Sequence, residues 1–271
     1  MDQPKGFISK SEEKKVCKLQ RSICGLKQAS RSWNICFYKA VKGYGFSQNE
    51  DEPCVYKKDS GSAVVFLVLY VDDILMFGND IGMLTSMKLW LSKTFSMKDL
   101  GNASYILGIK IYKDRSRKLI GLSQSLYVDK VLGRIQMEHS KKGFLPVRHG
   151  IYQSMSMSPK TPKAMIQMSL IPYASAIGSL MYVMLCTRPD ISYAMSITSR
   201  YQSNLGSKNW SAVKTMLKYL RRTKDMFLVY GSRAPLRLLV EGYTDLDFES
   251  DVDGRKSTSG YVFQLNGGAI S

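Results

Sequence analysis

The chain has 271 residues, with 39 Lys and Arg against 22 Asp and Glu for a formal charge of +17, and its 44% hydrophobic content excludes a disordered polymer. That length suits one large or two smaller domains with a real core. The longest apolar run, Ala63 to Val71, stops at two aspartates after nine residues, far short of the ~20 that span a bilayer, so no transmembrane helix is expected. The opening Met1-Asp2-Gln3-Pro4-Lys5 lacks the apolar segment of a secretory signal, which makes an intracellular, reducing, cytoplasmic setting the default expectation. Five cysteines, Cys17, Cys24, Cys36, Cys54 and Cys186, form no short-spaced pair. They are expected to be buried thiols rather than zinc ligands.

Charge is unevenly spread. Residues 241–253 hold six acids and no base, whereas residues 1–240 carry 37 bases and 16 acids, a net of +21. Such a body attracts polyanions, because Lys and Arg displace the counterions condensed on nucleic-acid phosphates. The alternatives are a merely soluble basic protein or one that touches anionic lipid.

In chain order, Ser30-Arg31-Ser32-Trp33-Asn34 leads into Ile35, Phe37, Tyr38 and Val41 at helical spacing, and Gly43-Tyr44-Gly45 ends that helix. Val55-Tyr56-Lys57 begins a strand that turns at Asp59-Ser60-Gly61. Ala63 to Tyr70 and Ile74 to Gly78 are continuously apolar strands around Val71-Asp72-Asp73, the pattern of a buried hairpin. Asn79 and Asp80 cap a helix with Leu84, Met87, Leu91 and Phe95 on one face. Asp99-Leu100-Gly101-Asn102 breaks it, and Ser104 to Tyr112 is predicted to be one strand ending at Lys113-Asp114-Arg115-Ser116.

Residues 140–172, rich in Ser, Pro, Lys and Met, are predicted to be a surface connection. Three helices follow, opened by Pro172-Tyr173, divided at Arg188-Pro189-Asp190, and completed after Leu205-Gly206-Ser207 with Trp210, Val213, Leu217 and Leu220 on a buried stripe. Lys214, Lys218, Arg221 and Arg222 on the last helix either track a phosphate backbone or form a solvated basic face. Hairpin, helix, strand and then helices indicate the α+β class, an antiparallel sheet with helices on one face.

Asp72 and Asp73 carry the chemistry. Aspartate is a favoured turn residue, so the pair has a purely structural explanation. The functional alternative aims a carboxylate at Mg²⁺, a hard cation that bridges protein acids to substrate phosphates.

These residues carry a resemblance. Tyr70-Val71-Asp72-Asp73 in its apolar hairpin resembles the metal-binding motif of reverse transcriptases, and Cys24-Gly25-Leu26-Lys27-Gln28-Ala29-Ser30-Arg31-Ser32-Trp33 resembles the Tyr-Gly-Leu-Lys-Gln-Ala-Pro-Arg-x-Trp segment of copia-type long-terminal-repeat retrotransposon Pol polyproteins, departing at Cys24 and Ser30. Asp99-Leu100-Gly101 with Ile106-Leu107-Gly108 is similar to that family's primer-grip region. Thr187-Arg188-Pro189-Asp190-Ile191 is similar to its helical region after the palm, and Arg255-Lys256-Ser257-Thr258-Ser259-Gly260-Tyr261 to its junction into ribonuclease H. The motifs keep family order across nearly the whole chain.

The resemblance implies a right-hand polymerase in three parts: partial fingers and palm over 1–120, a mainly helical thumb or connection over 121–235, and the truncated start of a ribonuclease H-like domain over 236–271. It implies Asp72 and Asp73 as catalytic metal ligands for Mg²⁺ or Mn²⁺, with Asp73 either ligating or supporting. Lys27, Gln28, Arg31 and Tyr70 would lie near the incoming nucleotide, template or primer end, and Leu107 and Gly108 would support the primer strand. RNA template, DNA primer and deoxynucleoside triphosphates are the implied partners. Glu241 to Asp247 resembles the first strand of ribonuclease H, where Asp245 or Asp247 would bind metal.

In the family an Asp-Val-Lys-Thr-Ala-Phe-Leu segment carries a further catalytic aspartate, just before a stretch matching Met1-Asp2-Gln3-Pro4-Lys5-Gly6-Phe7. Two-metal transfer places its ions ~3.5 to 4 Å apart and needs that extra ligand. The chain alone is therefore expected not to extend a primer, and not to hydrolyse RNA either, since the later ribonuclease H acids fall past Ser271. The alternating acids from Asp245 to Asp253 do not make a calcium loop, because a loop starting at Glu249 would need Glu where Gly260 stands; an exposed acidic turn is expected. Two other readings compete: a non-enzymatic basic nucleic-acid-binding module, and an unstable remnant with an exposed strand edge.

Overall fold

A computed structural model describes residues 2–8, 14–20, 22, 23, 25–148, 154–202, 205–231, 239–249, 251 and 253–270. The chain separates into two units, Met1–Gly101 and Asn102–Ser271.

In the first unit, α1 (Ala29–Gly43) buries Phe37 and Val41 completely, as their i, i+4 spacing requires. A meander follows: β1 (Ser47–Gln48), β2 (Val55–Ser60), β3 (Ala63–Tyr70) and β4 (Asp73–Gly78), hydrogen-bonded in that order and antiparallel throughout. Then α2 (Ile81–Phe95) starts at Asp80, whose Oδ1 accepts from the Met83 amide at 2.6 Å. Tyr56, Val65, Leu67 and Leu69 from the sheet meet Phe37 and Val41 of α1 and Met87 and Leu91 of α2 in one core, so both helices serve the same face. The expected fully buried hairpin is thereby corrected. Side chains alternate along β3, and Val64, Phe66 and Val68 on the other face are only half-buried. Asp73 is also not part of the turn; it pairs with Tyr70 as the first residue of β4.

The second unit opens with β5 (Tyr105–Ile106), β6 (Ile109–Asp114), β7 (Leu119–Ser123) and α3 (Ser125–Arg134). The single strand expected over Ser104 to Tyr112 is instead a hairpin broken at Leu107-Gly108. The expected connection over 140–172 contains α4 (Pro162–Ser169), started by Thr161, whose Oγ1 accepts from the Ala164 amide at 3.3 Å. It buries none of its residues. The three anticipated helices are α5 (Tyr173–Cys186), α6 (Ser192–Ser199) and α7 (Ser207–Thr223). Their apolar faces enclose Ile177, Leu180, Val183, Val213, Met216, Leu217 and Leu220 together with Val128, Val131 and Leu132 of α3. After α7 come β8 (Leu228–Gly231), β9 (Val240–Leu246), β10 (Ser259–Leu265) and β11 (Gly268–Ala269), which complete two antiparallel sheets ordered β5-β6-β7-β8 and β11-β10-β9. The fold is α+β, with antiparallel sheets and helices.

A buried cation ties the helices together. Arg188 donates from Nε and Nη2 to both Asp190 oxygens, at 2.9 and 2.7 Å, and from Nη1 to the Thr223 carbonyl at the end of α7, at 3.1 Å. Tyr219 donates to the same carboxylate at 2.6 Å. Burial works against the Asp190 charge, but the Arg188 and Tyr219 hydrogen bonds outweigh it and hold the carboxyl below its usual range. Tyr173 joins α5 to α6 by donating to the Thr198 carbonyl at 2.7 Å, and burial pushes its phenol up to about 12.

The cysteine expectation is also corrected: Cys17, Cys36 and Cys54 are exposed and Cys186 is half-buried, while Cys24 lies outside the described residues. Cys36 sits on the outward side of α1, one position from fully buried Phe37. Among the described residues no single helix is long and apolar enough to cross a membrane.

Candidate active site at a two-residue hairpin

Tyr70 and Asp73 form the last rung between β3 and β4, so the loop is Val71-Asp72 alone. Tyr70 is 55% exposed and Val71 63%, and both aspartates are exposed. The tip therefore presents two carboxylates and a phenol to solvent on a rigid ribbon. The cost is conformational: Val71 has φ 53°, the left-handed region, which costs an L-residue roughly 1–2 kcal/mol and is rarer still for a β-branched one.

Trp33 offsets that strain. Its indole N–H donates to the Val71 carbonyl at 2.8 Å, a bond worth about 1 kcal/mol. The ring is fixed in turn, edge-on to Phe95 of α2 at 5.2 Å and tilted on Phe37 at 5.5 Å. The aromatic core shared by both helices thus reaches the tip through one side chain. The sequence places Trp33 in a motif but gives it no role. Its one signal is the recurrence of aromatics at 33, 37 and 95, which predicts packing but not a hydrogen bond.

Lys27, Gln28 and Arg31 are exposed around the first turn of α1, the helix end whose Trp33 touches the tip. Gln28 accepts through its carbonyl from the Ser32 amide and hydroxyl, both at 3.0 Å, and no side chain caps the helix. The first turn contains no acidic residue, so its amide dipoles and Arg31 make this end electropositive. The structure thus brings Tyr70, Asp72, Asp73 and the α1 cluster to one end of the first unit.

Leu107 and Gly108 belong to the second unit, where both take positive φ, 51° and 79°, in the turn between β5 and β6. Tyr182 of α5 donates to the Leu107 carbonyl at 2.8 Å. Asp245 is exposed on β9 opposite Gly260, and its carboxylate accepts from the Leu246 amide at 2.9 Å. The neighbouring acids are not simply an exposed turn, as the sequence suggested. Asp251 lies 3.8 Å from Arg200, and Asp253 accepts from Tyr201 at 3.2 Å and Ser154 at 2.8 Å, so the loop is docked on the end of α6. Burial, and then the hydrogen bond to Asp253, push the Tyr201 phenol up to about 12. Among the described residues, no three His, Cys, Asp or Glu side chains cluster as a metal-binding group.

The antiparallel α+β frame with an acidic hairpin tip is compatible with a reverse-transcriptase-like fold. The family model for reverse transcriptase (RNA-dependent DNA polymerase) matches residues 1–149, and the chain belongs to that family. It is 43% identical over its whole length to the retrovirus-related Pol polyprotein from transposon TNT 1-94 of Nicotiana tabacum, covering 20% of that protein, and 33% identical to the Pol polyprotein from transposon RE2 of Arabidopsis thaliana, covering 18%. A putative transposon Ty5-1 protein of Saccharomyces cerevisiae is 30% identical over 99% of the chain and 84% of its own length. These relatives identify a reverse transcriptase region of copia-type retrotransposon Pol polyproteins. The chain spans about a fifth of the length of the Pol polyproteins it matches. No solved structure gives a significant match.

Proposed function

We propose that the Val71-Asp72 tip is the metal-binding end of a reverse transcriptase palm, with Asp72 as ligand and Asp73 as second ligand or support. The observation that carries this reading is the strained, externally braced turn. A two-residue hairpin loop demands positive φ at its first position, and a β-branched valine held there by Trp33, rather than relieved by a glycine, fixes the two exposed carboxylates in one place. The donor set fits Mg²⁺ or Mn²⁺ in kind, since both side chains offer hard carboxylate oxygens. Bound there, the metal would supply charge neutralisation at the transferring phosphate and a more acidic primer hydroxyl.

The protein's own groups would do the rest. Arg31 and Lys27 attract the triphosphate of a deoxynucleotide, Gln28 reads the nucleotide or template beside the α1 end, and Tyr70 contacts the primer terminus. Leu107 and Gly108 support the primer strand, with an RNA template and DNA primer as substrates. In this reading 1–120 is fingers and palm, 121–235 thumb or connection, and 236–271 the start of a ribonuclease H-like segment in which Asp245 is a metal ligand. Two carboxylates at the tip fall short of a two-ion centre, so the described residues need a further acid to complete it, and the chain by itself is inactive in primer extension.

The test joins the upstream Asp-Val-Lys-Thr-Ala-Phe-Leu-type segment to this chain and measures Mg²⁺-dependent extension of a primed RNA template. Activity that appears on joining and vanishes with Asp72→Asn supports the reading. Extension by the unjoined chain overturns the incomplete-site part of it. A second reading, a non-catalytic nucleic-acid-binding module, is favoured by the net +21 over residues 1–240 and predicts binding indifferent to Asp72.

A further inference from the structure

Residues 139–224 contain thirteen Lys and Arg and a single acid, Asp190. That acid is occupied by Arg188 and Tyr219 in the helix junction. Arg200 pairs with Asp251 and Lys224 with Asp129, yet most of the positive charge of this stretch meets no acid among the described residues, and one part of it is organised around an exposed aromatic ring. Phe144 is 72% exposed in the segment after α3, and the Arg222 guanidinium of α7 lies over one face of its ring at 4.0 Å from the centroid. Lys141 and Lys142 are exposed just before it, and Lys218 is one helical turn from Arg222. None of Lys141, Lys142, Lys218 and Arg222 is ion-paired among the described residues.

The ring is held in place from below. The Gly143 amide donates to the Lys218 carbonyl at 2.9 Å. A Cβ at 143 would stand 3.0 Å from the Lys218 side chain and 3.1 Å from the Tyr219 amide, so a glycine is what lets the segment lie directly on α7. Val147 packs against the helical core on the far side. An apolar ring this exposed gains nothing from burial. It is instead a fixed, flat surface with a cation behind it and cations beside it.

We propose that Phe144, backed by Arg222 and flanked by Lys141, Lys142 and Lys218, is a stacking platform for single-stranded nucleic acid, separate from the hairpin tip. An unpaired base stacks on the open face of the ring, and the lysines meet the phosphates on either side. A duplex cannot use it, because its bases are already stacked on each other. The platform works without metal.

The test uses the full chain and a fluorescein-labelled oligothymidylate of about 15 nucleotides, within the span of known single-strand sites, followed by anisotropy. Phe144→Ala is expected to weaken binding about 5- to 100-fold, the range for losing one base–aromatic stack, and Phe144→Trp to restore or tighten it. Lys141→Gln with Lys142→Gln is expected to reduce the salt slope by about 1.4, since each single-strand phosphate contact contributes about 0.7. The loss in Phe144→Ala is expected to be the same with and without divalent ions, whereas binding at the hairpin tip would depend on them, so a failure of the hairpin reading and a failure of the platform give different patterns. Unchanged affinity in Phe144→Ala overturns the platform. Equal competition by duplex of the same length overturns it too, as does displacement by anionic lipid vesicles at matched charge, which would mark a plain basic patch.

Discussion

Besides the Asn266-Gly267 turn, where an asparagine takes φ 49°, two hairpins among the described residues close with two residues and place a left-handed apolar residue first, Val71 at φ 53° and Leu107 at φ 51°. Each of those residues has its carbonyl held at 2.8 Å by an aromatic donor from a helix, the Trp33 indole in one unit and the Tyr182 phenol in the other. They differ at the second turn position. Gly108 takes it at φ 79°, whereas Asp72 occupies it in the first hairpin and Asp73 begins the next strand. The same mechanical solution thus carries an acidic tip in one case and an uncharged one in the other. Bracing by a side-chain donor is how this fold keeps a tight turn in place, and chemistry is then set by two residues at the end of it.

The sharpest way to break that comparison is Asp72→Asn in the chain fused to the Asp-Val-Lys-Thr-Ala-Phe-Leu-type segment of the proposed test. Primer extension should fall on the order of 10³-fold, several kcal/mol of lost charge stabilisation, with the melting temperature unchanged, while Leu107→Ala should leave the chemistry far less affected. Next comes the Arg188–Asp190 helix junction of the second unit. Asp190→Asn should destabilise the second unit by about 2 to 3 kcal/mol in urea unfolding, below the full cost of orphaning a buried cation, because Asp190 keeps 39% of its side chain exposed.

That variant also tests a pH effect. Asp190 is held below its usual range in the folded state, so its contribution is complete above the unfolded carboxyl value of about 4 and is lost as pH falls through the lower folded value. Asp190→Asn should flatten the acid limb of the stability profile, and an unchanged limb would remove Asp190 from the account.

Trp33→Phe and Tyr182→Phe sharpen the parallel. Each keeps a ring and removes one donor, so each should cost about 1 kcal/mol; only Trp33→Phe should also slow extension by the joined protein. The smallest effects are expected from Val71→Asn and Leu107→Asn, which relieve left-handed strain and should stabilise by at most about 1 kcal/mol. The gain should be larger at the β-branched position.

Much of this architecture is legible in the residues. The i, i+3, i+4 spacing locates α1, α2 and the three helices from Tyr173 onward, and the apolar runs on either side of Asp72 locate β3 and β4. The features that escape have local causes. Val128, Val131 and Leu132 mark α3 by spacing, yet Gly121 and Gly133 around it obscure the period. Thr161-Pro162 is a helix start inside a segment whose Ser, Pro and Lys content otherwise signals a loop. Leu107-Gly108 splits a strand because both residues take positive φ, and leucine gives no warning of that. Trp33 reaching Val71 and Tyr182 reaching Leu107 join residues 38 and 75 positions apart, and neither bond has a signature in one sequence.

Arg188 has a reach beyond its own junction. By gripping the last carbonyl of α7 while its guanidinium lies over Tyr219 on the same helix, 5.4 Å from the ring centroid, it adds a polar anchor at the end of a helix whose apolar stripe is buried in the core. The anchored carbonyl belongs to the residue next to Arg222, the base that meets Phe144. Loosening this buried side chain, which holds a carbonyl one residue from the platform's Arg222, should blur an electrostatic pattern that its own charge does not contribute to.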